Sequence, residues 1–169
     1  HDGHMSLVDE ALRRCEHVVV SIFVNPTQFN DPNDLKNYPR NTEKDMELLS
    51  TRKVDVVFIP DIHEVYPHPD VRTFRFGDLE RVMEGARRPG HFNGVAQVVS
   101  ILLELVQPDL AFFGQKDFQQ VVIIKKLVKK LKLPVEIVSC PIVRESDGLA
   151  MSSRNQLLSP EERKHTAHI

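Results

Sequence analysis

Short apolar runs of strand length alternate along this chain with longer segments of helical period, and no other feature constrains its fold so tightly. Residues 17–24 (HVVVSIFV) and 54–59 (VDVVFI) are nearly continuous in apolar side chains, the pattern of strands covered on both faces. Residues 109–113 (DLAFF) and 135–138 (VEIV) are two further candidates. Between them, residues 5–14, 42–52, 92–105 and 118–131 carry helix-like patterns. Strands and helices in this order predict a parallel sheet wrapped by helices. The expected class is therefore α/β, a doubly wound and mostly parallel sheet with runs 17–24 and 109–113 near its centre. Such sheets take ligands beyond the carboxyl ends of their strands, where the strand order reverses.

The 169 residues, 41% hydrophobic and 27% charged, are enough for one domain with a core of its own. A formal net charge of −2 supplies no basic stripe of the kind nucleic acid requires. No apolar run approaches the ~18 residues of a membrane span, and no signal-peptide pattern opens the sequence. The expectation is a cytoplasmic protein with neither nucleic acid nor membrane as partner. Cys15 and Cys140 are too few and too distant for a disulfide framework, and read as thiols in a reducing compartment. Lys125, Lys126, Lys129 and Lys130 share one side of a helix whose other side carries Val121, Ile124, Leu127, Val128 and Leu131, so they read as a solvated face. Ser159 followed by Pro160 reads as the N-cap and first residue of a polar helix over 161–168.

Three short segments carry chemistry. His1-Asp2-Gly3-His4 opens an amphipathic helix; its glycine admits close backbone approach, and free N–H groups at a helix start attract phosphate. Two imidazoles three residues apart can donate to the same phosphate. Gly114-Gln115-Lys116-Asp117 follows the 109–113 strand and opens a helix, placing a compact cation and a carboxylate at a strand's carboxyl end. Met151-Ser152-Ser153-Arg154 follows the turn-forming Ser146-Asp147-Gly148 and offers two hydroxyls and a bidentate guanidinium to phosphate oxygens. His17, His63, His68, His165 and His168 lack the partner spacing of a metal site.

Taken together, the HxGH helix start and the late Ser-Ser-Arg loop resemble the Rossmann-like superfamily of adenylyl-transferring enzymes. Longer segments narrow the resemblance: residues 23–29 (FVNPTQF), 38–40 (YPR), 88–95 (RPGHFNGV), 113–120 (FGQKDFQQ) and 144–155 (RESDGLAMSSRN) are similar to the pantothenate synthetase family, from residue 1 to about 163. A sister enzyme adenylylating a phosphate ester would want extra cations around its acceptor, where this chain offers the amides and hydroxyl of Asn25, Thr27 and Gln28. The family has a strand and helix before HxGH and a smaller C-terminal lid domain. The resemblance therefore makes residues 1–158 a nucleotide- and pantoate-binding domain with its first strand and helix missing, and residues 159–169 the start of a C-terminal domain otherwise largely absent.

The activity implied is ATP-dependent ligation of pantoate to β-alanine through pantoyl-adenylate, releasing pyrophosphate and AMP, with Mg2+ accompanying ATP and a homodimeric assembly. His1 and His4 would meet the phosphates, with His4 the acid toward leaving pyrophosphate. Lys116 and Arg154 would neutralise developing charge, aided by Ser152 and Ser153. Asp2, Gly3, Gln115 and Met151 belong to the same ATP-binding segments. Gly114 and Asp117 would hold the ribose, and backbone near Val143 would read adenine. Gln28 and Gln120 would bind pantoate, with Asn25 and Arg88 toward β-alanine. Asp45 is the candidate magnesium carboxylate, acting through water; a solvated helix carboxylate explains it equally well.

Overall fold

The computed structural model describes residues 1–166. Its helices are α1 (Asp2–Arg14), α2 (Pro32–Asn37), α3 (Thr42–Ser50), α4 (Ile62–Val65), α5 (Met83–Arg87), α6 (His91–Val106), α7 (Phe118–Leu131) and α8 (Pro160–Thr166). The strands are β1 (Val19–Ser21), β2 (Val56–Phe58), β3 (Leu110–Gly114) and β4 (Glu136–Cys140).

Local chemistry accounts for the long helices. On α1, Met5, Val8 and Ala11 recur at helical spacing and are buried, while Asp2 in the first turn and Arg13 and Arg14 in the last complement the helix dipole. α6 starts behind Gly90 at φ 82, a left-handed conformation that glycine adopts without strain. α7 buries Val121, Ile123, Ile124, Leu127 and Val128, and its lysines form the expected exposed face. Lys126 also reaches back, donating to the Phe76 carbonyl at 2.8 Å. Ser159 caps α8 as expected, through a reciprocal pair: its hydroxyl accepts from the Glu162 N–H, and the Glu162 carboxylate accepts from the Ser159 N–H. The expected extent of this helix to His168 falls partly outside the described residues.

The parallel α/β class is borne out, and among the described residues its strands form two parallel pairs. β1 runs beside β2 in the register Val19–Val56 to Ser21–Phe58, and β3 beside β4 in the register Leu110–Glu136 to Gly114–Cys140. No strand ladder joins the two pairs among the described residues. α1 lies across both. Its Met5 and Val8 join Leu49 in a cluster against which Val20, Ile22 and Val57 pack, and its other contacts are with β3 and β4. Near its end, the Arg14 guanidinium sits 5.7 Å from the centre of the Phe112 ring. Coverage of both strand faces is also corrected: Val19, Val56 and Ile59 keep 41%, 49% and 42% of their surface exposed. A continuous apolar run does not distinguish a strand buried on both faces from one buried on a single face.

A second cluster joins α6 and α7 through Phe92, Ala96, Ile123 and Leu127, roofed by Phe74 and Phe76. Leu127 is fully buried there, and its truncation to alanine would cost about 2–5 kcal/mol. This cluster fixes the start of α7 relative to α6, and with it the residues on either side of the cleft described next.

Candidate active site

The carboxyl ends of β3 and β4 open into a cleft of about 600 Å³, within the range of small-molecule sites. Its lining includes His1, Gly3 and His4 from the start of α1, and Gly114, Lys116, Asp117 and Gln120 from the turn after β3 and the start of α7. Val143 follows β4, and Met151, Ser152, Ser153 and Arg154 come from the late loop. Gln28 and Arg88 also line it. The three segments read as phosphate-binding are thus brought into one cavity with both glutamines.

Close packing explains the glycine of the first segment. A Cβ on Gly3 would stand 3.0 Å from the His1 ring and 3.2 Å from the Met151 side chain, so a larger residue would push the helix start off the late loop. The His1 and His4 rings stack with centroids 3.8 Å apart and an interplanar angle of 19°. His1 Nδ1 accepts from the His4 backbone N–H at 3.3 Å, which leaves Nε2 as the protonated nitrogen able to donate to a ligand. His4 stays open at the cleft mouth, yet its imidazole is held below the ordinary histidine range, first by desolvation and further by the Lys116 ammonium. A neutral imidazole next to a stacked partner can donate one N–H without adding charge.

The two principal cations are not free. Lys116 Nζ donates to the Asp117 carboxylate at 2.8 Å. Arg154 makes a bidentate pair with Asp34, Nη2 to Oδ2 at 2.9 Å and Nε to Oδ1 at 3.2 Å, and its guanidinium lies 4.8 Å from the Tyr38 ring centre. Arg88 pairs with Glu84. Each pair is partly exposed, and such pairs contribute only about 0–1 kcal/mol, so an entering polyphosphate can displace the carboxylates.

Four expected residues do not line the cleft. Asp2 is exposed in the first turn of α1, where its charge faces Arg52. Gln115 is exposed in the turn after β3. Asn25 is 2% exposed and saturated by protein: its Nδ2 donates to the Gly94 carbonyl at 3.1 Å, and its Oδ1 accepts from the Thr27 hydroxyl at 3.0 Å and the Tyr66 hydroxyl at 2.9 Å. It builds the 3-10 turn Pro26–Gln28 that presents Gln28. Asp45 sits in the first turn of α3, where the helix dipole accounts for a carboxylate. Among the described residues no group of three or more His, Cys, Asp or Glu could hold a metal. The cleft's own carboxylates, Asp34, Glu84 and Asp117, are each paired to a cation. These residues do not fit a protein-held Mg2+ site.

Other lining residues were not singled out from sequence: Asp34, Tyr38, Glu84 and His91. Tyr38 and His91 lie inside motifs quoted above, which was the available signal; Asp34 and Glu84 had none. His91 is 4% exposed, and its Nδ1 donates to the Gln28 carbonyl at 2.8 Å. Burial holds its pKa below the ordinary value, against the opposing pull of that hydrogen bond.

Fold and cleft together define a parallel α/β protein with a cation- and imidazole-lined site at the carboxyl ends of its strands. A family model described as pantoate-beta-alanine ligase matches residues 1–169, and the chain belongs to that family. It is 56% identical over 163 residues to a pantothenate synthetase of Porphyromonas gingivalis, covering 96% of this chain and 58% of that protein. It is 54% identical over 169 residues to one from Bacteroides fragilis, covering 100% of this chain and 60% of the relative. The chain therefore spans about three fifths of the relatives it matches. A crystal structure of pantothenate synthetase from Thermus thermophilus superposes with TM-score 0.95 at 49% identity, covering 99% of this chain and 61% of that one. One of pantoate-beta-alanine ligase from Francisella tularensis, complexed with beta-gamma ATP and beta-alanine, gives 0.96 at 40% identity, covering 99% and 65%. The chain shares their fold.

Proposed function

We propose that the protein to which this chain belongs ligates pantoate to β-alanine with ATP, through pantoyl-adenylate. The observation that carries the proposal is the meeting, in one cleft, of a helix-start imidazole pair, two cations from separate loops and two neutral amides. Phosphate chemistry needs the first two sets, and a small hydroxy acid is matched by the third. The Francisella relative's ATP and β-alanine complex supports the same substrates.

In this proposal the pantoate carboxylate attacks the α-phosphorus, and pyrophosphate leaves. Lys116, released from Asp117, and Arg154, released from Asp34, neutralise charge that grows on the phosphate oxygens. The His1 Nε2–H and an N–H of His4 donate to the same group, and Ser152 and Ser153 add hydroxyl donors. Most of the acceleration comes from positioning and fixed charge. Gln28 and Gln120 orient the acid through amides that leave its carboxylate nucleophilic. The β-alanine amine then attacks the acyl carbon beside Arg88, and AMP departs. Gly114 and Asp117 face the ribose, and backbone near Val143 faces the adenine. Mg2+ enters only as part of the nucleotide substrate. A cytoplasmic homodimer accompanies this proposal, and native mass of the full-length protein tests the dimer.

The test is pyrophosphate release by the full-length protein at saturating ATP, titrating pantoate and then a deoxy analogue against Gln28→Ala and Gln120→Ala. Both variants should raise the pantoate requirement and relax rejection of the analogue, because a site built for hydroxyls leaves its own polar groups unpaired without them. Unchanged pantoate dependence in both would place the acid elsewhere.

A further inference from the structure

We infer that Gln119, which does not itself line the cleft, is a positioning residue for its acid and amine end, an inference that rests on the function proposed above. Gln119 lies in the first turn of α7 and is 5% exposed. Its amide is saturated by one segment of chain. Oε1 accepts from the Glu84 N–H at 2.9 Å and the Gly85 N–H at 3.3 Å. Nε2 donates to the Leu79 carbonyl at 2.7 Å and the Val82 carbonyl at 2.9 Å. Two donors and two acceptor sites are all that a glutamine amide offers.

Apart from Leu79, which packs on the α6–α7 cluster, the segment so held has little else to define it. It contains a 3-10 turn (Gly77–Glu80), Met83 at φ 49, and the five-residue α5, far too short to persist alone. Gly85 packs so closely that a Cβ there would stand 2.6 Å from the Glu80 carbonyl oxygen. The segment's shape therefore depends on an anchor outside it, and Gln119 supplies one.

From this segment the geometry continues into the cleft. Glu84 pairs with Arg88, whose Nη1 also donates to His91 Nε2 at 3.3 Å. Arg88 Nη2 and His91 Nδ1 both donate to the Gln28 carbonyl, at 3.3 and 2.8 Å. One buried amide thus sets two backbone N–H groups, these set Glu84, and Glu84 orients the pair that grips Gln28. Residues 116, 117 and 120 beside it line the cleft directly, so the start of α7 carries the phosphate cation and also fixes the opposite end of the reaction.

The experiment uses the full-length protein with Gln119→Leu, which removes all four hydrogen bonds at nearly constant volume. A second variant, Gln119→Glu, keeps the acceptor and loses both donors. KM for pantoate and for β-alanine should rise about tenfold or more in the leucine variant and less in the glutamate variant, while KM for ATP stays within about twofold. Amide hydrogen exchange at Glu84 and Gly85 should quicken in the leucine variant and be largely kept in the glutamate one. A purely structural role would lower kcat with the folded fraction and leave the three KM values moving together; that result, or unchanged exchange at Glu84 and Gly85, overturns the inference. A wild-type protein without pantoate-dependent turnover overturns the proposed function instead, and the exchange measurement still decides whether Gln119 holds the segment.

Discussion

Replacing Gly94 with alanine should lower turnover far more than any loss of folded protein explains. Gly94 lies in the first turns of α6, directly beneath the turn that presents Gln28. An added Cβ would stand 2.4 Å from the Thr27 carbonyl oxygen and 2.9 Å from the Gln28 nitrogen, where ordinary contact begins at 3.4 Å. The oxygen must retreat by 3.4 − 2.4 = 1.0 Å, and the obstacle is backbone, with no rotamer to yield. Asn25 ties the turn to the Gly94 carbonyl, so the movement is forced on Gln28 as a tilt of the whole turn. Overpacking of this kind costs about 1–3 kcal/mol, and alanine returns about 0.8–1 kcal/mol of helix propensity. The net loss is then ~0–2 kcal/mol, leaving most molecules folded in a domain of ordinary stability. A displacement of about 1 Å at a substrate-orienting group lowers turnover on the order of 10²-fold. Function therefore falls much further than stability. The assay is pantoate-dependent pyrophosphate release beside a urea melt of the same full-length variant. Wild-type turnover, or a loss no larger than the unfolded fraction explains, would refute the reasoning.

Lys116→Ala should slow adenylate formation on the order of 10²–10³-fold with little change in ATP affinity, because the charge it meets grows in the transition state; affinity falling in step with turnover would make it a ground-state binder. Asp34→Asn removes the carboxylate that holds Arg154; since such a pair is worth about 0–1 kcal/mol, KM for ATP should drop by up to about fivefold, and a rise would mean that Asp34 serves the bound state. His4 and His91 both have folded pKa values below 6.5 through desolvation. Their contribution to stability is full above that unfolded value and is lost as pH falls through the folded ones, because the unfolded chain takes up protons first. Melting temperature should accordingly decline from pH 7.5 to 5.5, and His91→Gln should flatten the slope; an unchanged slope would remove His91 from the account.

The longer helices were legible because their signals are local, whereas the short α2, α4 and α5 were not read from the sequence. The expected span of α7 matches the structure at both ends, and the cap of α8 follows from Ser159, Pro160 and Glu162. Strands depend on partners distant in sequence. The eight-residue run 17–24 keeps only Val19–Ser21 in a ladder, since pairing with β2 covers just those three positions. The cleft was legible where a motif places its residues at a strand end or helix start, as with Lys116 and His4. It was illegible where a side chain's role is set by packing. Asn25 reads as a ligand-binding amide, but is buried as the node of a turn. Asp34 carries no signal of its own in the sequence, yet meets Arg154 from 120 positions away. Gln119 and Gln120 are identical neighbours whose different directions only the helix decides.

The central claim is that the acid's own carboxylate attacks the α-phosphorus, and oxygen transfer tests it directly. The full-length protein is supplied with pantoate labelled with oxygen-18 in its carboxylate, with ATP and β-alanine, and the AMP is weighed by mass spectrometry. When the amine displaces the adenylate, the bridging oxygen stays on phosphorus, so AMP should carry one labelled oxygen for each amide formed. Unlabelled AMP, or ADP and phosphate in its place, would contradict an adenylate and with it the assignment of Lys116, Arg154 and the two imidazoles.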